Sequence, residues 1–145
     1  MNKILLIITG SIAASKCKEI ITLLNINEVK ISCILTKEAK KYVKISDIKK
    51  LLKNRIFTDE DEKKNKMLHI NLSRDNDIIV MCPATANSIA KFANGYGDNL
   101  ASNTLLASNK KILFVPAMNS FMWHNKINQK NVKSLKDNGH EFIGP

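Results

Sequence analysis

Arginine is nearly missing from this chain. Of 145 residues 23 are basic, yet Arg55 and Arg74 are the only arginines, and lysine carries almost all of the formal charge of +10. The lysines are scattered among asparagines and isoleucines. No stretch interleaves arginine with aromatic side chains, as a base-stacking surface does. That excludes a nucleic-acid partner and leaves a solvated basic surface whose potential would draw in an anionic, phosphorylated substrate. Long apolar runs are missing too: none approaches the roughly 20 residues that span a bilayer, so no membrane is expected. The short run that ends at Thr9 leads through Gly10 straight into an amphipathic segment, and is a first core strand rather than a signal peptide. A cytoplasmic location follows.

Cysteine is scarce as well. Cys17, Cys33 and Cys82 are unevenly spaced and form no CxxC pair, so they are expected as free, buried thiols of a reducing compartment. His69, His124 and His140 are far apart and have no cysteine or carboxylate partner at a ligand interval, which excludes a metal site. There is no repeat, linker or low-complexity segment. A hydrophobic fraction of 44% in a chain of this length is that of one compact globular domain.

What is present is an alternation of apolar strands and amphipathic helices. Lys3–Thr9 holds a continuous apolar run, as a strand buried on both faces does, and Val29–Thr36, Asp77–Cys82, Lys111–Val115 and Glu141–Ile143 are expected as the further strands. Helices are expected over Ala13–Leu24, capped by Ser11, then over Lys37–Val43 and Asp47–Lys53, the latter capped by Ser46. Further helices are expected over Leu68–Ser73, Ala84–Ala93, Asn99–Ala107 and Asn128–Lys136. Pro83 breaks the third strand and Pro116 ends the fourth. The acidic run within Thr58–Lys66 has no core-forming pattern and is expected as a surface loop. This order predicts an α/β fold: a doubly wound, Rossmann-like parallel sheet with its ligand beyond the carboxyl ends of the strands.

Those ends hold the least generic residues. Gly10-Ser11-Ile12-Ala13-Ala14 is a strand-to-helix turn of small residues whose backbone N–H groups and helix dipole suit a phosphate. It is not GxGxxG, and Thr36 stands where a ribose-binding acid would end the second strand, so FMN fits better than NAD. Pro83-Ala84-Thr85-Ala86-Asn87-Ser88 repeats the pattern and suits a flat ring; its plain alternative is a helix start capped by Thr85. Pro116-Ala117-Met118-Asn119-Ser120-Phe121-Met122-Trp123 places an amide, two thioethers and the single tryptophan after a strand. Asn119 suits a substrate carboxylate or amide, and the alternative has it as a cap with Met118, Met122 and Trp123 as packing.

Taken in order, these three stretches, with His69-Ile70-Asn71-Leu72 and Gly97-Asp98-Asn99-Leu100, closely resemble the flavin-containing cysteine decarboxylases. That family includes the phosphopantothenoylcysteine decarboxylases of coenzyme A biosynthesis and the lantibiotic peptidyl-cysteine decarboxylases. The resemblance spans essentially the whole chain, and the proline-to-tryptophan motif separates it from the related flavin prenyltransferases. It implies FMN held at a subunit interface of a homotrimer, sometimes assembled into dodecamers. It implies flavin contacts from Gly10, Ser11, Ile12, Thr36, Lys37, Thr85, Ala86, Asn87, Ser88 and Ala117. His69 matches the catalytic histidine, Asn119 the asparagine that binds the substrate carboxylate, and Met122 lines the same pocket.

The implied reaction is decarboxylation of 4'-phosphopantothenoylcysteine to 4'-phosphopantetheine. A cysteine carboxylate has no electron sink of its own; oxidation of the side chain to a thioaldehyde provides one, and an imidazole suits the base role of His69. The family continues beyond the position of Gly144-Pro145 into a flap that carries a proton-donating cysteine, which none of Cys17, Cys33 and Cys82 matches. Residues 1–145 are therefore expected to form a single FMN-binding domain without that flap, either continued by further chain or short of full turnover. The rival functions are a flavin prenyltransferase and a non-catalytic FMN-binding regulatory or assembly subunit.

Overall fold

A computed structural model of the chain describes residues 3–145. Its centre is a parallel sheet of six strands: β1 (Lys3–Ile8), β2 (Lys30–Leu35), β3 (Ile56–Phe57), β4 (Ile78–Ala84), β5 (Ile112–Pro116) and β6 (Glu141–Phe142). Their order is β3-β2-β1-β4-β5-β6, with every neighbouring pair parallel. The chain builds outward from β1 in one direction and then returns to build outward in the other. The strand order therefore reverses between β1 and β4, and a crevice opens at their carboxyl ends.

Two apolar layers cover the sheet, as the unbroken apolar strands require. Along β1 the side chains alternate: Leu5 and Ile7 enter one cluster, Leu6 and Ile8 the other. The second layer is closed by α1 (Cys17–Ile26) and α2 (Ile45–Leu52), through Cys17, Ile21, Ile48 and Leu52. The first is closed by α4 (Leu68–Arg74), α5 (Ala86–Ala93), α6 (Leu100–Ala107) and α8 (Lys126–Asp137) around a fully buried Phe114. Truncating Phe114 to alanine there would cost about 3–5 kcal/mol.

The structure departs from the sequence pattern at several places. The acidic run is not a loop: Asp59–Lys64 is a helix, α3, held by a capping box in which the side chain and backbone of Thr58 pair reciprocally with Asp61. It escapes an apolar-pattern test because it buries no hydrophobic residue. Ile56–Phe57 forms an edge strand of two residues, too short to show a pattern. Pro83 does not break the third strand; β4 continues to Ala84 with a register irregularity between Met81 and Ala84, a place where a missing N–H is tolerated. The helix expected from Ala13 begins as a 3-10 turn, Ile12–Lys16, capped by Ser11, and Lys37–Val43 contracts to a 3-10 turn at Ala39–Lys41. Ser46 does not cap α2, which starts at Ile45 without a side-chain cap. A short helix, α7 (Ser120–His124), follows β5. No helix among the described residues is long and apolar enough to cross a membrane.

Candidate functional site

A crevice lies at the reversal point, lined from the end of β1, the loop after β2, α5 and α6. Where β1 ends, the hydroxyl of Thr9 donates to the carbonyl of Pro83, which fixes the mouth of the crevice across the two central strands. Gly10 comes next, packed so closely on the loop after β2 that a Cβ there would land on the Cβ of Glu38. Only glycine lets these two loops meet, and the gap they frame stays open to a ligand. Ser11 then accepts the Ala13 N–H at 3.1 Å.

The other wall is the start of α5. Thr85 caps it, its hydroxyl oxygen accepting the Ser88 N–H at 3.1 Å and its hydrogen going to the Ser88 hydroxyl at 2.9 Å. The remaining first-turn amides and the helix dipole favour an acceptor or an anion in the crevice. The floor and far side are Met81, Phe92, Ala101 and Leu105, with Asn99 and Ser102 forming the reciprocal cap of α6. Lys91 contributes the positive charge of the lining and is paired to Asp98 at 3.0 Å. The Lys91 ammonium holds the Asp98 carboxyl below the ordinary carboxylate range.

Five of the expected flavin contacts, Gly10, Thr36, Thr85, Asn87 and Ser88, line this one crevice. The Thr36 hydroxyl donates to the Ile8 carbonyl at 3.2 Å and accepts the Ala39 N–H at 3.3 Å. What it orders is the loop, and its hydrogen is already committed. Ser11, Ile12 and Lys37 do not line the crevice but follow Gly10 and Thr36 directly, with Ile12 79% exposed. Ala117 is tied to the strand end by its N–H on the Ala84 carbonyl at 3.0 Å.

A second, shallower groove lies on the other side of α5, between it, α7 and α8. Ala86 and Met122 meet there, with Ala90, Asn125, Ile127, Asn128 and Asn131. Asn119 caps α7, its Oδ1 accepting the Met122 N–H at 2.9 Å, and its side-chain amide hydrogens have no acceptor among the described residues. Met118 and Trp123 pack against the core, whereas Phe121 is 90% exposed. The packing alternative therefore holds for Met118 and Trp123 and fails for Met122.

His69 lines neither groove. It stands near the start of α4, which packs on α6, with Nδ1 3.3 Å from Oε2 of Glu62 on α3. Residues of the crevice that carried no motif signal include Glu38, Met81, Lys91, Phe92, Ala101 and Leu105. Asn99 and Ser102 were detectable, since Asn-x-x-Ser before an apolar run is a cap pattern. The cysteines stand apart from this chemistry: Cys17 and Cys33 are buried and Cys82 half-buried. The hydrogen bond to Cys82 and then burial push the Cys17 thiol up, and burial pushes Cys33 up.

Residues 1–145 match the family model described as Flavoprotein. The probable phosphopantothenoylcysteine decarboxylase of Streptococcus mutans is 32% identical over 148 residues, covering 99% of this chain and 83% of that protein. The coenzyme A biosynthesis bifunctional protein CoaBC of Haemophilus influenzae is 36% identical over 140 residues, covering 95% of this chain and 35% of that protein. The chain thus spans about a third of the length of that bifunctional relative. Among solved structures, the FMN-dependent cysteine decarboxylase SpaF has a TM-score of 0.92 at 28% identity, with 99% of this chain and 83% of that one covered. The chain belongs to the flavoprotein family. Within that family it is similar to the phosphopantothenoylcysteine and other cysteine decarboxylases.

Proposed function

We propose that this chain binds FMN and decarboxylates 4'-phosphopantothenoylcysteine to 4'-phosphopantetheine, in the cytoplasm. The observation that carries the reading is the convergence of Gly10, Thr36, Thr85, Asn87 and Ser88 in one crevice at the reversal of strand order. The crevice suits a flavin: the Gly10 position admits close approach, and the capped α5 start offers amides to an acceptor. Ser11, Ile12, Lys37, Ala86 and Ala117, adjoining these residues, complete the flavin contacts. FMN supplies the two-electron redox chemistry that gives the departing carboxylate an electron sink.

The remaining roles belong to the chain. Asn119 donates from its free amide hydrogens to the substrate carboxylate, its Oδ1 being occupied by the cap. Met122, 45% exposed beside Ala86, lines the substrate's apolar side. His69 takes the substrate proton. Its place outside its own crevice supports a homotrimer, alone or in dodecamers, in which the histidine of one copy serves the flavin of the next. The test is to load the protein with FMN, supply the substrate, and measure CO2 release with the product identified by mass. Stoichiometric CO2 and phosphopantetheine are expected; bound FMN without CO2 release would overturn the activity.

A further inference from the structure

We infer that Glu62 is the positioning residue of His69, fixing which imidazole nitrogen carries the proton. This rests on the reading of His69 as the base and adds a residue to it. The two side chains meet at 3.3 Å, Glu62 Oε2 to His69 Nδ1. Both atoms are shut off from solvent, and neither makes an aligned hydrogen bond among the described residues, to the other included. The ring itself is 27% exposed. The imidazole therefore buries its Nδ1 edge against a carboxylate and turns its other edge outward.

A carboxylate only accepts. An unprotonated Nδ1 would aim its lone pair at negative charge in a place water cannot reach, so the proton belongs on Nδ1. A neutral imidazole has one N–H, which leaves Nε2 with the lone pair, facing out, as the nitrogen able to take a proton. The two atoms are within hydrogen-bond reach at 3.3 Å but are not aligned as a hydrogen bond. Such pairs commonly tighten when the site is filled.

The local fold is arranged to hold the carboxylate there. The capping box at Thr58 and Asp61 fixes the start of α3. Asp59 accepts the Leu100 N–H at 3.0 Å, pinning α3 to the α6 terminus that borders the crevice. Glu62 lies three positions after Asp59, on the same side of the helix. It is thus carried by an element docked to the crevice wall, and it reaches His69 across the short turn between α3 and α4, where the Leu68 N–H bonds to the Asn65 carbonyl at 3.1 Å.

The test is nitrogen NMR of full-length, FMN-loaded protein labelled at histidine, with His69 assigned through His69→Asn. Spectra are taken at about pH 8.5, where an ordinary imidazole is neutral. The wild type should show the Nδ1–H form, and Glu62→Gln, whose amide oxygen still accepts, should retain it. Glu62→Ala should give a mixture of both forms, with kcat lowered roughly tenfold and KM unchanged, part of the 10²–10⁴-fold that a positioned base supplies. A Glu62→Ala spectrum identical to wild type overturns the inference, as does full kcat in Glu62→Ala when His69→Asn is inactive. Full turnover in His69→Asn instead removes the base role of His69, while the spectra still decide what Glu62 does to the ring.

Discussion

The hydroxyl of Thr9 donates to the carbonyl of Pro83, 74 positions further along the chain. Thr9 is 2% exposed, so this bond clasps β1 to β4 out of reach of water at the point where strand order reverses. Thr9→Val preserves the shape and removes the donor, leaving a buried carbonyl short of a partner. A loss of about 1–3 kcal/mol is expected in urea unfolding. An unchanged midpoint would mean that the carbonyl is satisfied without Thr9.

Gly10 supplies the second clasp of the crevice. An alanine there places a methyl on the Cβ of Glu38 and 3.0 Å from its carbonyl carbon. The obstruction includes backbone, so the Thr36–Glu38 loop must move away from β1. Gly10→Ala should fold, destabilised by about 1–3 kcal/mol, and should weaken FMN binding by at least roughly tenfold, or about 1.4 kcal/mol. Fluorescence titration with FMN measures this, and wild-type affinity in the variant would remove Gly10 from the flavin contacts.

His140 makes stability depend on pH. Its Nδ1 accepts the Ile112 N–H at 3.1 Å, and its ring meets Phe92 and Phe114 edge-on at 5.3 and 6.2 Å. Burial holds its pKa below the ordinary histidine value. On acidification the unfolded chain therefore takes a proton at a higher pH than the folded one. The stability His140 contributes is fully present above the unfolded value of about 6.5 and is lost as pH falls from there through the folded value. Unfolding midpoints at about pH 7.5 and about pH 5 should differ, and by less in His140→Gln. An equal difference in the variant would exclude His140 as a source.

The sequence made the sheet legible because β1, β2, β4 and β5 are apolar on both faces, and a wholly apolar strand flanked by helices has few other places to go. Ser11 and Thr85 were legible as caps because a hydroxyl before a helix satisfies N–H groups that otherwise have no partner. Pro83 misled because a proline usually stops a strand, whereas here the register irregularity absorbs the missing donor. The acidic helix α3 was invisible to an apolar pattern, since it is held by Thr58, Asp59 and Asp61 through hydrogen bonds rather than by burial. That omission hid Glu62, whose significance lies in its distance to His69 and in nothing its neighbours in sequence reveal. Lys91 and Phe92 went unnoticed for a related reason: they reach the crevice from the second turn of α5, and a helical lysine or phenylalanine is ordinary until the sheet has placed it.

Cofactor identity bears most directly on this account. The purified protein should absorb in the visible with a flavin spectrum, and the chromophore released on denaturation should have the mass of FMN. A colourless protein that also takes up no added FMN would contradict the crevice as a flavin site, and with it the decarboxylase.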